Sequence, residues 1–240
     1  METAESPTFV PTAVVPSVVR IDLACGQSPR EGFEGADLYA PNVTYRMDVL
    51  KFPWPWADNS VDEFFCSHFI EHIPNREVEE RDLARAEVML SPTPVSGDDA
   101  AEGVAELKPR IATAMGTHAK LAASYLGHDM LFTFFDEMYR CLKKEGSALI
   151  VWPACTSTRA FQDPTHRRFI SRDVLYYLNA DWRKATALDH YPVSCNFGFT
   201  VTHTMPVDEG LRCAEVQAKR FNECWNTIFD FHATLKPLKP

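Results

Sequence analysis

The stretch Val18-Val19-Arg20-Ile21-Asp22-Leu23-Ala24-Cys25-Gly26-Gln27 decides the fold. Its apolar run from Val18 to Leu23 has the length of a buried β-strand, and the turn-forming residues Gly26 and Pro29 follow it. An acidic residue, Asp22, lies near the end of this otherwise apolar run. The pattern predicts a buried strand, a tight turn and a carboxylate at the strand's carboxyl end.

Three more strand candidates follow within a short distance. They are Phe33–Leu38, Tyr45–Val49 and Val61–Ser67, and the first two end near Asp37 and Asp48. Short connections join these strands, and their carboxyl ends are polar. They predict the first half of an open α/β sheet.

Later segments complete this pattern. Met and Phe recur at helical spacing in Asp129–Glu145, which predicts a helix with a core-facing stripe, Lys143 and Lys144 in its last turn and Gly146 ending it. We expect three more strands at Ser147–Trp152, Phe197–Thr204 and Trp225–Leu235, with the last two antiparallel. The predicted fold is α/β: a Rossmann-like open sheet, mostly parallel with an antiparallel edge strand and helices on both faces.

The domain organisation is simple. We expect a disordered lead-in at 1–16 and a single domain at 17–240, because 240 residues suffice for one sizeable core. Composition changes after Pro74, and helical patterns flank a loop at Ser96–Gly103. This predicts a helical insertion at about 75–127, either a lid, a contact surface or a decoration of the fold.

Charge and cysteine usage narrow the function classes. The net charge of −9 disfavours a nucleic-acid partner, which would select a basic face. No apolar run approaches the roughly 18 residues that span a bilayer, and the start of the chain lacks the basic residues of a secretory signal. The seven cysteines are odd in number and never spaced C-x-x-C, which suits a reducing compartment. We therefore expect a cytoplasmic protein without a membrane segment.

Acidic residues at successive strand ends match what an adenosine cofactor requires. A carboxylate accepts hydrogen bonds from ribose hydroxyls, and a glycine lets the ligand approach the backbone. Asp22, Gly26, Asp37 and Asp48 offer these groups. Each one alone is more typical of a turn or a helix cap.

Taken in order, these segments resemble class I S-adenosylmethionine-dependent methyltransferases of bacterial and phage type. The motifs that resemble this class are Ile21–Gln27, Gly35–Leu38, Met47–Val49, Phe52–Asp62 and Phe135–Gly146. The resemblance covers roughly Val18 to Pro153 apart from the insertion. Ala24 and Ser28 stand where many members of the class have glycine.

The resemblance implies transfer of a methyl group from S-adenosylmethionine, with S-adenosylhomocysteine as product. It implies that Asp37 holds the ribose, that Gly26 admits the methionine moiety, and that Asp48 and Val49 meet the adenine. The full set of expected cofactor-binding residues is Asp22, Leu23, Ala24, Cys25, Gly26, Asp37, Leu38, Asp48, Val49, Ser67 and His68.

A polar loop after the fifth strand, Gln162–Arg168, is the expected substrate region, because open α/β sheets bind ligands at their carboxyl edge. The expected substrate-binding residues are Glu71, Asp163, His166 and Arg167. His72 and His166 are the candidate general bases, since histidine titrates in the right range. A surface turn stabilised by Asp163 explains the same loop without a function.

Other functions stay open. His68-Phe69-Ile70-Glu71-His72 matches the H-x-x-E-H zinc motif of one peptidase class, although it directly follows a strand and no metal is expected from its context. An NAD-dependent oxidoreductase is disfavoured because the turn lacks G-x-G-x-x-G. A non-catalytic S-adenosylmethionine-binding or interaction protein remains an alternative. The expected methyl acceptor is a small molecule, a sugar or a protein, and the sequence does not choose among them or predict an oligomeric state.

Overall fold

The computed structural model describes residues 18–74 and 129–240. The lead-in predicted at 1–16 and the insertion predicted at 75–127 lie outside the described residues. The strands are β1 Arg20–Leu23, β2 Glu34–Asp37, β3 Tyr45–Arg46, β4 Val61–Ser67, β5 Leu142–Pro153, β6 Phe197–His203 and β7 Asp230–Pro237. The helices are α1 Met130–Cys141, α2 Arg159–Gln162, α3 Ala180–Ala185, α4 Val207–Gly210 and α5 Ala214–Glu223, with 3-10 helices at Ile70–His72 and Arg172–Leu178.

The seven described strands form one sheet in the order β3-β2-β1-β4-β5-β7-β6. Strands β1 to β5 pair in parallel, whereas β7 runs antiparallel to both of its neighbours, β5 and β6. The predicted Rossmann-like, mostly parallel α/β sheet is confirmed, and so is the antiparallel pairing of the two late strands. Strand β7 lies one position in from the edge, which β6 forms.

The core lies where the central strands meet α1. Ile21 of β1, Phe64 of β4 and Ile150 of β5 are almost fully buried. Helix α1 begins at Asp129, whose carboxylate accepts a hydrogen bond from Leu131 N at 2.9 Å. Its stripe of Phe134, Met138 and Cys141 is buried, as predicted for a core-facing helix.

The predicted carboxyl end of this helix is wrong. Helix α1 ends at Cys141, and Leu142 to Gly146 already belong to β5, where Leu142 pairs with Val61. Lys143 forms an ion pair with Asp62 of β4 (Nζ to Oδ2, 2.7 Å), so it does not cap the helix. Gly146 serves the close approach of β5 to β4, because a Cβ there would lie 2.8 Å from the Asp62 carbonyl oxygen.

The three connections among β1 to β4 contain no helix, although parallel crossovers usually need about a dozen residues or more. The loop at 47–60 supplies the packing, because Trp54 and Trp56 are buried against Phe64 and each other. Two predicted strands are shorter than expected: β3 ends at Arg46 because Asp48 forms a turn, and β7 begins only at Asp230.

No helix in the described ranges is long and apolar enough to cross a membrane. All seven cysteines fall within these ranges, and each is a free thiol.

Candidate active site

The turn after β1 shapes the first part of the site at the carboxyl edge of the sheet. Ala24 and Gly26 both have positive φ, +53° and +59°. Ala24 N donates to Ala36 O of β2 at 2.7 Å, which ties the turn to the neighbouring strand. Ala24 therefore adopts the left-handed conformation that glycine reaches without strain. Open space lies beside Gly26, since a Cβ there would meet nothing within 4 Å.

Asp37, at the end of β2, holds this turn in place. Its carboxylate accepts hydrogen bonds from three backbone N–H groups: Gly26 at 3.0 Å, Tyr39 at 2.8 Å and Ala40 at 2.9 Å. Burial alone would raise the pKa of Asp37, but the three backbone donors outweigh it and the pKa is lowered. A carboxylate has about four lone-pair sites, so it keeps acceptor capacity for a ligand hydroxyl.

Asp22 contributes a second, more deeply buried carboxyl group. Its Oδ2 accepts a hydrogen bond from Arg30 N at 2.7 Å, and burial raises its pKa in spite of that contact. Burial, together with the charges of Asp22 and Asp37, raises the pKa of Cys25 to about 11. Both effects favour the protonated thiol of Cys25 at physiological pH.

Asp22 and Cys25 belong to the wall of a cleft of about 160 Å³, which we call the β1 cleft. The Arg30 guanidinium lies over the Phe65 ring, 4.5 Å from its centroid, and closes one side. The residues that line the β1 cleft are Asp22, Ala24, Cys25, Ser28, Arg30, Phe65 and Ser67. It lies at the carboxyl ends of β1 and β4, where the sequence predicts a cofactor.

The remaining predicted cofactor residues differ in their surroundings. Leu38 is 41% exposed just past the end of β2, so its side chain is available to a flat apolar ligand. The Asp48 carboxylate accepts from Leu50 N within a turn. Val49 is only 4% exposed and packs in the core, and its carbonyl accepts from Trp54 Nε1. Leu23 is fully buried in β1, so only its backbone is near the turn.

The H-x-x-E-H segment does not form one α-helix. His68 has a positive φ of +53° directly after β4, and only Ile70–His72 is helical, as a 3-10 turn. His68 and His72 therefore do not share the helix face that the peptidase motif requires. His68 N donates to Val151 O at 2.9 Å, which fixes this residue beside β5.

Glu71 is the most deeply buried charged group here, with 1% of its surface exposed. Its Oε1 lies 3.4 Å from His68 Nδ1 and 3.9 Å from His166 Nε2, yet neither contact has hydrogen-bond geometry. The Glu71 carboxylate raises the pKa of His68, which burial would lower, and Asp230 acts in the same direction as Glu71. Burying an ionised carboxylate costs several kcal/mol, and a protonated His68 at 3.4 Å offsets part of that cost for Glu71.

The predicted substrate loop is attached to Glu71 through the backbone. Arg167 N and Arg168 N both donate to Glu71 O, at 2.8 and 3.0 Å. Asp163 accepts from both the backbone N and the hydroxyl of Thr165, and these two bonds lower the pKa of Asp163. The Asx-type turn considered from the sequence is therefore present. It brings His166 next to Glu71 and His72, whereas the side chain of Arg167 is exposed.

A second cleft, of about 230 Å³, lies on the other side of the β4 end, and we call it the histidine cleft. It is lined by His68, His72, Pro153, Arg159, Gln162, Asp163 and His166. Ser67 lines the β1 cleft and His68 the histidine cleft, so two consecutive residues separate the two sites.

Sequence reasoning missed two residues of this edge, Arg159 and Asp230. Arg159 Nη1 contacts Asp230 Oδ2 at 2.6 Å, and Asp230 Oδ1 lies 4.0 Å from His68 Nε2. Asp230 begins the antiparallel strand β7, which places it at the carboxyl edge of the parallel strands. A buried acidic residue at the start of an apolar strand was the available signal.

A larger cavity, of about 700 Å³, lies elsewhere among the described residues, at the amino end of β4 and beside α1. Its walls include Arg140, which is paired with Glu137 and Asp58. These three charges neutralise one another within the fold, so their presence in the wall does not call for a bound ligand.

A scan against models of known protein families finds no match to this sequence, and a search of curated proteins finds none either. Solved structures similar to this chain include a SAM dependent methyltransferase from Archaeoglobus fulgidus, with 14% identity, a TM-score of 0.47, and coverage of 91% of this chain and 86% of that one. A SAM dependent methyltransferase from Mesorhizobium loti has 12% identity, a TM-score of 0.40 and coverage of 91% and 90%. DhpI in complex with SAH has 13% identity, a TM-score of 0.39 and coverage of 91% and 76%.

The strand order departs from the dinucleotide-binding order 3-2-1-4-5-6, because the reversed strand β7 is inserted between β5 and β6. The order and the directions of the strands are those of a Rossmann-like α/β sheet, as the sequence predicts.

Proposed function

We propose that the chain binds S-adenosylmethionine at the β1 cleft and transfers its methyl group to an acceptor in the histidine cleft. The observation that carries this proposal is the position of the two clefts on either side of Ser67 and His68 at the end of β4. A methyl donor and its acceptor must meet in line across a short distance, and adjacent clefts on one sheet edge satisfy that need.

The residues around the β1 cleft fit the cofactor in their chemistry. Asp37 retains acceptor capacity for a ribose hydroxyl, and open space beside Gly26 exposes the backbone to the methionine part. Leu38 offers apolar surface for the adenine, and Asp48 a polar edge. We assign the cofactor-facing backbone to Leu23, Ala24 and Cys25, and the cleft wall to Asp22 and Ser67. His68, the next residue, lines the histidine cleft and would meet the cofactor only at the border between the two clefts. When bound, the cofactor supplies the activated methyl group.

The histidine cleft supplies the acceptor side. His72 and His166 line this cleft and are the proposed acceptors of a proton from a hydroxyl or amine, and Asp163 and Arg159 offer hydrogen bonds and charge. Three exposed aromatic rings lie next to Arg159 and Gln162: Phe161 stacks on Phe169 at 4.2 Å and also contacts Trp225. Such a surface fits a small-molecule acceptor with a planar or apolar face, including a sugar ring. We propose a small molecule in preference to a protein, and no nucleic-acid partner.

The test has two parts. Isothermal titration of the full chain with S-adenosylmethionine and S-adenosylhomocysteine should show saturable binding of one equivalent. Incubation with methyl-labelled cofactor and fractionated small-molecule extract should then label a low-molecular-weight product. Binding without transfer to any fraction would favour the non-catalytic alternative, and absence of binding to either ligand would refute the proposal.

A further inference from the structure

Three side chains from two separate segments converge below the histidine cleft: Glu71 and His72 of the 3-10 helix, and His166 of the loop after α2. One ligand atom of each lies within 4.8 Å of the corresponding atoms of the other two. The His72 and His166 rings are 4.7 Å apart at 79°. They are brought together by the two backbone bonds from Arg167 and Arg168 to Glu71 O, so the juxtaposition is built into the fold.

Glu71 gives the independent reason to expect a cation here. Both of its carboxylate oxygens are buried, and among the described residues neither has a hydrogen-bond partner. Buried charges in proteins are normally paired or bound to a metal, because desolvation of an ionised carboxylate is costly. His68 is near, but half of its side chain is exposed and its contact lacks hydrogen-bond geometry.

The hydrogen bonds behind the two histidines leave their Nε2 atoms as free ligands. His166 Nδ1 lies 2.7 Å from Ala160 O, and a carbonyl only accepts, so Nδ1 carries a proton and in the neutral ring Nε2 is the ligand atom. His72 Nδ1 lies 3.1 Å from Thr165 Oγ1. That hydroxyl donates its proton to Asp163 Oδ1 at 2.7 Å, so it accepts from His72 Nδ1, and in the neutral ring Nε2 is the ligand atom. Contacts of this kind, to a carbonyl or an acceptor oxygen, orient metal-bound imidazoles in known sites.

We propose that Glu71, His72 and His166 bind a divalent transition-metal ion of the Zn²⁺ type. Two imidazoles and one carboxylate are a donor set that Zn²⁺, Fe²⁺ and Mn²⁺ accept, whereas Mg²⁺ prefers oxygen ligands. With Zn–N distances of about 2.1 Å, tetrahedral ligands lie about 3.4 Å apart, so binding would draw the three side chains together by roughly 1 Å. The site differs from the H-x-x-E-H motif, because His68 is not a ligand and His166 takes its place.

Three protein ligands leave a coordination position open, as in catalytic zinc sites. His72 and His166 line the histidine cleft, so a ligand would reach the open position from that cleft. In a step that rests on the proposed methyl transfer, the ion would orient the acceptor's oxygen or nitrogen through that position. His72 and His166 would then act as ligands and not as general bases.

The test uses the full chain without a histidine tag, stripped with a chelator and dialysed. During titration with Co²⁺ the visible d–d absorption should saturate at one equivalent of the ion. Zn²⁺ should displace the bound Co²⁺, and Mg²⁺ at the same concentration should not. His166→Ala and Glu71→Gln should each weaken Co²⁺ binding at least 100-fold. His68→Ala and the exposed-site control His190→Ala should bind within twofold of the wild type. Circular dichroism checks each fold, and His166→Gln replaces His166→Ala if the latter is unfolded.

The outcomes separate the alternatives. Loss of binding in His68→Ala with retention in His166→Ala would overturn the proposal in favour of the H-x-x-E-H set. Absence of Co²⁺ and Zn²⁺ binding by the wild type would overturn it. Metal binding is measured without S-adenosylmethionine, so a failure of cofactor binding leaves this result intact, and the reverse also holds.

Discussion

Replacing Asp37 with Asn tests the assigned cofactor site most directly. Asp37 Oδ1 accepts from Tyr39 N and Ala40 N, and Asn can preserve both bonds through its amide oxygen. Oδ2 accepts from Gly26 N at 3.0 Å, and in Asn an NH₂ group would oppose that N–H. The variant therefore keeps the turn at 38–40 but loses the link to Gly26 and the negative charge that we propose faces the ribose.

The expected magnitude follows from these contacts. A hydrogen bond to a charged group contributes about 1.5–3 kcal/mol, which corresponds to an affinity for S-adenosylmethionine roughly 10- to 150-fold lower. Because Asp37 is partly exposed, we expect the free energy of unfolding to fall by only about 1 kcal/mol. Isothermal titration and urea unfolding measure the two effects. Asp189→Asn, at an exposed position, is the matched control and should change neither.

The pH dependence provides a second check on the same variant. The pKa of Asp37 lies below its ordinary value of 3.8 in the folded state, so its charge stabilises the fold above that pH. This contribution is lost as the pH falls through the lowered pKa. The difference in unfolding free energy between wild type and Asp37→Asn should therefore shrink below about pH 4. A folded variant with unchanged cofactor affinity, or a stability difference that grows in acid, would refute the assignment of Asp37.

Three further variants test other features. Ala24→Gly should stabilise the fold by roughly 0.5–1 kcal/mol, because relief of the left-handed penalty of about 1–2 kcal/mol exceeds the entropy cost of glycine. The control Ala185→Gly in α3 should lower the free energy of unfolding, and urea unfolding measures both. A destabilised Ala24→Gly would contradict the backbone strain at φ +53°. Gly146→Ala should lower the free energy of unfolding by about 1–3 kcal/mol, because its Cβ would meet the Asp62 carbonyl at 2.8 Å. In the control Gly198→Ala the new Cβ meets only Leu238, at 3.6 Å, and stability should hardly change. Equal thermal midpoints for the two variants would be inconsistent with the tight β4–β5 contact. Thr165→Val should weaken Co²⁺ binding about 10- to 100-fold, because it removes the hydroxyl that holds the His72 ring. Thr200→Val, at an exposed position, is the control. Unchanged binding in Thr165→Val would exclude Thr165 as a positioning residue.

The parts of the fold that local patterns determine could be predicted from sequence. The apolar run Val61–Ser67 coincides with β4, and the Met/Phe stripe of α1 is core. The end of α1 could not be predicted, because Leu142 to Gly146 have helical propensity signals but pair with β4, a tertiary contact. Trp54 and Trp56 likewise replace crossover helices through packing that no local period reveals.

The residues of the candidate site, too, could be predicted only where local sequence patterns determine their position. The acidic strand ends Asp22 and Asp37 were found because strand order brings carboxyl ends together. Asp230 could not be found in this way, since it reaches the edge only because β7 runs in the reverse direction. The convergence of His166 with Glu71 depends on two backbone hydrogen bonds from residues far along the chain, which spacing within the H-x-x-E-H segment cannot indicate.

Arg168 connects the loop that bears His166 to the two borders of the segment at 75–128. Its guanidinium donates to Ile73 O at 2.7 Å and Pro74 O at 2.8 Å, and it pairs with Asp129 at 3.1 Å. The two ends of the segment 75–128 therefore lie close together, held by one side chain. A change in the length of the segment 75–128 would therefore leave Pro74 and Asp129 held at the same separation, because one guanidinium binds both.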